Sequence, residues 1–329
     1  MQRIAFAGFR HPHIHMLFQQ ARQLNLDIAG AFEADGRARE DARQALGVSF
    51  THEAYADLLA DPAVGLVAVG DTYEARGAMV IAALEAGKHV ISDKPLCTSL
   101  KELETIQNLA ADRHLKIGLM LDLRYSPVAG PVERLVRSGQ LGDIQAIFFS
   151  GQHPLMYGTR PGWYFEPGQH GGTLNDIAVH GLDLVAWLTG QHIDQVLAAR
   201  CWNAYAAAVP DFKDCAQFMA RLSGGVGLMG DVSYASPDSF GYGLPQYWRF
   251  TIWGLKGVLE VAFGTQQIQL ALNGETVLRQ IPSDATVTGN CLTAFLDDVA
   301  GRPVALATDA VLAASRDALR LQAFADGNI

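Results

Sequence analysis

The sequence predicts an α/β protein: a doubly wound parallel sheet in the N-terminal part, followed by a C-terminal part dominated by antiparallel sheet. Three observations predict it. Short apolar runs alternate with helix-forming stretches through about residue 122, that alternation stops after Pro127, and from residue 196 to 281 nearly everything reads as strand with short connections. Parallel strands need long return connections, usually helices, and the first rhythm supplies them. The length of 329 residues fits two domains, placed at 1–122 and 123–329, and a composition of 49% apolar and 18% charged residues excludes a disordered or low-complexity chain.

Residues 4–7 read as a buried strand ending at Gly8, and a helix follows over 14–24. Residues 27–32 form a second strand closed by Glu33, and 37–46 a second helix. Further strands at 64–69, 89–92 and 116–121 are separated by helices over 75–86 and 99–113. Past Pro127 come a helix (128–138), a strand (144–151), a loop rich in Gly, Pro, His and aromatic residues (152–172) and a helix (174–188). Turn signals at Ser223-Gly224-Gly225, Leu255-Lys256-Gly257 and Asn273-Gly274 divide the strand-rich segment, and helices over 290–299 and 308–324 close the chain.

Lys and Arg total 25 against 34 Asp and Glu, and the net charge of −9 repels a polyphosphate backbone, so no nucleic acid partner is expected. Cys97, Cys201, Cys215 and Cys291 are widely spaced with no C-x-x-C, which argues against a disulfide framework or a thiolate zinc site and for a reduced compartment. No basic-then-apolar leader precedes Arg3 and no apolar stretch is long enough to span a bilayer. The expectation is a soluble cytoplasmic protein with no membrane partner.

Three segments could carry chemistry. The turn Gly8-Phe9-Arg10-His11-Pro12-His13 lies where the dinucleotide fingerprint G-x-G-x-x-G would follow a first strand, with Arg10 and His13 at the second and third glycine positions. Glu33, 25 residues after Gly8, is placed to bind the adenosine ribose hydroxyls, or is simply a solvated acid at a strand end. His11, His13 and His15 alternate as metal-binding H-x-H pairs do, and equally suit exposed polar positions or phosphate donors beside Arg10; no metal is expected. A second segment ends a strand in Asp93-Lys94-Pro95, at the edge where an open α/β sheet holds ligands. In the third, Asp176, His180 and Asp183 fall at i, i+4 and i+7 and share one helix face, either as chemistry or as a buried histidine satisfied by two acids.

Together these segments resemble the Gfo/Idh/MocA family of sugar and polyol oxidoreductases over nearly the whole chain. Residues 83–90, Ala-Leu-Glu-Ala-Gly-Lys-His-Val, followed by Asp93-Lys94-Pro95, match A-L-E-A-G-K-H-V…E-K-P. Gly171-Gly172…Asp176…His180…Asp183 matches G-G…D-x-x-x-H-x-x-D, and Arg124-Tyr125-Ser126-Pro127 matches R-[FY]-x-P. The resemblance implies an N-terminal Rossmann domain and a C-terminal α+β domain with a large open, mainly antiparallel sheet. It implies a catalytic trio of Lys94, Asp176 and His180, in which His180 exchanges the hydroxyl proton, Lys94 stabilises developing alkoxide and Asp176 orients His180.

The implied cofactor contacts are Gly8, Phe9, Arg10, His11, Glu33, Arg37, Gly70, Asp71, Thr72, Asp93, Lys94, Pro95 and Asp122; the implied substrate contacts are Lys94, Arg124, Trp163, Tyr164, Asp176 and His180, with His153, Tyr157, Arg160, Trp163 and Tyr164 of the 152–170 loop either forming part of a substrate wall or packing the domain junction. Glu33 favours NAD over NADP because a carboxylate repels a 2′-phosphate, while Arg10 and Arg37 leave room for NADP. The chain departs from the family at Arg10 and His13, at Asp93 where glutamate is usual, at Asp71-Thr72…Arg76 in place of T-P…H, and at Asp122 in place of asparagine. The expected function is an NAD(P)-dependent dehydrogenase of a secondary hydroxyl on a sugar, polyol or sugar acid, forming a homodimer or homotetramer through the C-terminal sheet. The alternatives are a redox-assisted glycoside hydrolase with tightly bound NAD, a cofactor-sensing regulator and a metallohydrolase.

Overall fold

Strand β1 (Arg3–Ala7) is the centre from which the parallel sheet is wound in the computed structural model, which describes residues 3–328. It is followed by α1 (His13–Gln23), β2 (Ile28–Phe32), α2 (Gly36–Leu46), α3 (Tyr55–Ala60), β3 (Val64–Val69), α4 (Tyr73–Glu85), β4 (His89–Ser92), α5 (Leu100–Asp112) and β5 (Ile117–Leu119). The strand order is β2-β1-β3-β4-β5, with every pair parallel. The helices start where the sequence can cap them: Asp35 accepts from Ala38 N–H at 2.8 Å for α2, and Ser99 accepts from Glu102 N–H at 3.2 Å for α5. The short helix α3 is an addition to the expected elements.

Winding reverses between β1 and β3, so the loops after these strands flank the crevice in which doubly wound sheets bind ligands. The loops are close: a Cβ on Gly8, whose φ is +80°, would lie 2.7 Å from Asp71 N. Glycine is required there on both counts.

The second sheet belongs to a separate unit. It is preceded by α6 (Ala129–Arg137) and contains β6 (Ile144–Pro154), β7 (Ile193–Trp202), β8 (Cys215–Leu222), β9 (Gly227–Ser236), β10 (Arg249–Gly254), β11 (Gly257–Ala262), β12 (Gln267–Leu272) and β13 (Arg279–Gln280). Their order is β13-β12-β11-β10-β6-β9-β8-β7, antiparallel throughout except for the parallel β6–β9 pair. Burial alternates along β8, with Phe218, Ala220 and Leu222 inside and Gln217, Met219 and Arg221 outside. Helix α7 (Val179–Thr189) is entered through a π-helical turn, Leu174–Ala178. Two stretches of the expected strand region are loops instead. Residues 203–214 fold around Asp214, whose carboxylate accepts the Ala204, Tyr205 and Ala206 N–H groups, and residues 237–248 carry Pro237 and Pro245, which interrupt strand pairing.

Helices α8 (Cys291–Val299) and α9 (Thr308–Ala325) finish the chain. The first unit is not one continuous segment: besides the chain up to Met120 it contains Pro161–Gly171 and Asn290–Ser315, and the second contains Leu121–Arg160, Gly172–Gly289 and the chain from Arg316. The reason lies in packing. Leu292 and Phe295 of α8 join Ile4, Phe6, Ile14 and Met120 in one apolar core, and a Cβ on Gly118 of β5 would lie 2.9 Å from the Phe295 ring. Among the described residues no helix is long and apolar enough to cross a membrane.

Candidate active site

In the first unit the end of β4 and the loop after β1 meet at Asp93. Its carboxylate is fully buried and receives Arg76 Nη2 at 2.8 Å, His11 Nδ1, and His13 Nδ1 at 3.0 Å. Burial opposes ionisation of Asp93, but the Arg76 charge, reinforced by the imidazoles, outweighs it and holds the carboxyl well below the usual range. Burial also pushes His11 down to about 3, so its ring is neutral. The hydrogen bonds then place the His11 proton on Nδ1, facing Asp93, and leave Nε2 to accept from Tyr164 OH at 2.7 Å. Tyr73 and Tyr164 share a hydrogen bond, and with Trp163 they form a small buried cluster.

Lys94 follows directly, 4% exposed, with Nζ 5.8 Å from the centre of the Tyr73 ring. The Lys94–Pro95 peptide is cis. Arg76 also holds the chain on either side: it donates to the Lys94 carbonyl, to Pro95 O at 3.3 Å and, through Nε, to Asp71 O at 3.0 Å.

Glu33 is fully buried rather than solvated. It accepts from Phe9 N–H and from Asp35 N–H at 2.7 Å, and burial pushes its pKa up against those two bonds. The Phe9 side chain lies in the core, which confines its contribution at the crevice to backbone. Arg10 pairs with Asp71 at 3.5 Å, and Asp71 also accepts from Thr72 N–H at 2.6 Å. Gly70, at the end of β3, lies against Ile14, whose side chain would meet any Cβ placed there. Arg37 is on the surface, 92% exposed, 3.8 Å from Asp41.

The second unit carries the other polar group. Asp176, on the π turn and 2% exposed, accepts from Tyr234 OH. His180 is half-buried and lies 5.7 Å from the Trp248 ring. His153, at the end of β6, is ringed by Tyr234, Tyr242, Tyr247 and Trp248, with centroids 5.0 to 6.3 Å away. Asp122 sits in a 3-10 turn of the same unit.

Two groups of residues expected on the substrate have protein partners in the structure. Arg124, expected on the substrate, is buried against Asp183 in an ion pair, with Nε–Oδ2 at 2.7 Å and Nη2–Oδ1 at 2.5 Å. Burial raises the Asp183 carboxyl while Arg124 opposes that rise. Trp163 and Tyr164, expected in a substrate wall, pack on the β1 loop: Trp163 Nε1 donates to Arg10 O at 3.3 Å and Tyr164 engages His11. Arg76, Tyr73 and Tyr234 carry much of these networks without having been singled out as site residues, whereas His153 belongs to the loop expected to wall the substrate. Arg76 had one sequence signal, its place where the family segment has histidine.

Residues 3–120 match a family described as an oxidoreductase family with an NAD-binding Rossmann fold, and residues 131–260 match the GFO/IDH/MocA C-terminal domain. The chain is 25% identical over 164 residues to a levoglucosan dehydrogenase of Pseudarthrobacter phenanthrenivorans, covering 48% of this chain and 42% of that protein. It is 26% identical over 210 residues to a scyllo-inositol 2-dehydrogenase (NAD(+)) of Bacillus subtilis, covering 63% of this chain and 58% of that protein. The chain thus spans about half the length of these curated relatives. A solved levoglucosan dehydrogenase in complex with NADH and levoglucosan shares the fold, with a TM-score of 0.79 at 18% identity over 99% of this chain and 98% of that one.

Proposed function

Because the chain belongs to the Gfo/Idh/MocA oxidoreductase family, we propose that it is an NAD-dependent dehydrogenase acting on a secondary hydroxyl of a sugar, polyol or sugar acid, with NADP the weaker cofactor. The observation that carries this reading is Lys94, set directly after β4 at the carboxyl edge of a doubly wound sheet. The crevice fits a dinucleotide at Gly8, whose missing side chain keeps the β1 and β3 loops in contact. Glu33, buried at the end of β2 and tied to the Phe9 amide, is the residue that would receive the adenosine ribose; Gly8, Arg10, Asp71 and Thr72 would line the phosphates.

When bound, the nicotinamide accepts or returns the hydride. The chain supplies the rest. His180, half-buried against Trp248, takes the hydroxyl proton on a ring nitrogen as the alcohol is oxidised and returns it in the reverse direction. Asp176, anchored by Tyr234, orients His180 and stabilises its protonated form. The Lys94 ammonium stabilises negative charge developing on the substrate oxygen. Aromatic side chains around His153 offer faces on which a sugar ring can stack.

The same reading includes a homodimer or homotetramer through the eight-stranded sheet and a location in the reduced cytoplasm. Association is supported by Met219, Met229 and Trp253, each more than 40% exposed on strands β8, β9 and β10. Fluorescence titration with NADH and NADPH, followed by a screen of sugars and polyols for NADH formation, tests the proposal. Tighter binding of NADH and NADH produced in step with an oxidised sugar are expected. Failure to bind either dinucleotide, in protein shown by mass analysis to retain none, would sink it.

A further inference from the structure

Two of the positions at which this chain departs from its family meet at one point. His13 stands at the third glycine position of the fingerprint and Asp93 where glutamate is usual. The fold brings both to His11, so that one ligand atom from each of the three lies within 4.8 Å of the others. His13 Nδ1 is 3.0 Å from Asp93 Oδ1, close to the separation of about 3.3 Å for two atoms that bind one tetrahedral ion at about 2 Å. The two imidazole rings stand 80° apart in plane, with centroids separated by 4.5 Å, and meet different oxygens of the carboxylate, His11 at Oδ2 and His13 at Oδ1.

We propose that His11, His13 and Asp93 form a binding site for a first-row divalent cation, Zn2+ by its mixed nitrogen and oxygen ligands, on the loop after β1. The surrounding groups suit this role. Arg76 holds Asp93 Oδ2 at 2.8 Å and leaves Oδ1 directed at His13, so the guanidinium orients the carboxylate from the outer side. With a cation at His11 Nδ1 the ring proton moves to Nε2 and is donated to the Tyr164 oxygen, 2.7 Å away; the imidazole stays neutral and no proton is released from it. The His13 side chain is 33% exposed and gives the cation a route from solvent. Two imidazoles and a carboxylate leave a fourth position for water or a ligand oxygen. His15, the third histidine of the run, is outside the cluster, with its ring 6.1 Å from Phe9 and its Nε2 buried without a hydrogen-bond partner.

The site rests on side chains of the first unit and does not depend on the dehydrogenase reading. The test strips the full-length protein with chelator and measures Zn2+ uptake by equilibrium dialysis and elemental analysis in the unmodified chain, His13→Ala and His15→Ala. One Zn2+ per chain is expected in the unmodified protein and in His15→Ala, with affinity in His13→Ala weaker by at least ~10–100-fold, the range that loss of even an outer partner costs. Absence of stoichiometric uptake by the unmodified chain, or uptake that the His13 substitution leaves unchanged, overturns the proposal. His13→Gln, which keeps a polar side chain at the start of α1, reads the same quantity if His13→Ala does not fold. An NADH titration of the same chelated protein reports dinucleotide binding separately, so each reading can fail alone.

Discussion

Arg76 Nη2 donates to Asp93 Oδ2 at 2.8 Å, and both side chains are fully buried. The folded pKa of Asp93 lies below its ordinary value, so its contribution to stability is present above the unfolded pKa and is lost as pH falls through the folded one. Replacing Arg76 with leucine leaves burial of the carboxylate without its strongest opposing charge, at a cost of about 3–5 kcal/mol. In that variant the carboxyl titrates above its unfolded value, so the deficit shrinks on going from neutral to mildly acid pH. Urea denaturation of both proteins at the two conditions checks this; a deficit independent of pH would remove the ion pair as its cause.

Lys94→Ala and His180→Ala are each expected to lower kcat by about 10²–10⁴-fold, the range for removing a positioned acid-base group, with NADH affinity nearly unchanged. Steady-state kinetics on the sugar found by screening, paired with NADH titration, separates this from a structural role. Equal loss of folding in both variants would favour the structural role.

Gly8→Ala introduces a Cβ 2.7 Å from Asp71 N at a φ of +80°. The strained backbone alone costs about 1–3 kcal/mol. Displacement of the β3 loop is expected to weaken NADH binding as well, and the two losses are read by thermal denaturation and fluorescence titration. An alanine variant that binds NADH like the parent would show that the loop tolerates the shift.

His192 Nδ1 lies 3.2 Å from Asp317 Oδ2, and that hydrogen bond is the main cause of a raised His192 pKa, against partial burial. A folded pKa above the unfolded value contributes stability that is fully present below the unfolded pKa and disappears as pH rises through the folded one. Solvent screening keeps the contribution small at this half-exposed pair. Asp317→Asn should therefore return the His192 titration toward its ordinary midpoint, measured by NMR, and cost stability at acid pH more than at alkaline pH.

Met219 and Met229 are directly paired across β8 and β9 on the exposed sheet face. Met219→Glu places a charge there and is expected to shift the protein toward monomer in sedimentation velocity, with the fold retained. A parent protein already monomeric at micromolar concentration would contradict association through this face.

Strands β1 to β4 were legible because parallel strands covered on both faces appear as unbroken apolar runs, Ile4-Ala5-Phe6-Ala7 and Val64 to Val69 among them. The 203–214 loop was not, since its shape depends on Asp214 collecting three amides, and no local periodicity announces such a turn. The π turn at Leu174–Ala178 was hidden for a similar reason: it runs directly into α7, and no local break in the sequence marks where the one ends and the other begins. The candidate residues Lys94, Asp176 and His180 stand out through motif spacing. Arg76 does not, because a buried arginine is explained only by acceptors at Asp71, Asp93, Lys94 and Pro95 that converge after folding. The Arg124–Asp183 ion pair was hidden for the same reason, since its two residues lie 59 apart along the chain.

The placement of α8 has a consequence for biosynthesis. The helix packs on α1, β4 and β5, so the first unit lacks Leu292 and Phe295 until synthesis has passed residue 295. Until then that face of the nascent sheet is uncovered apolar surface, the condition in which folding intermediates aggregate or engage chaperones. A fragment truncated at residue 122 would remain in that state permanently. A segment about 170 residues beyond β5 thus closes the core of the parallel sheet, and completion of that core waits for α8 to be synthesised.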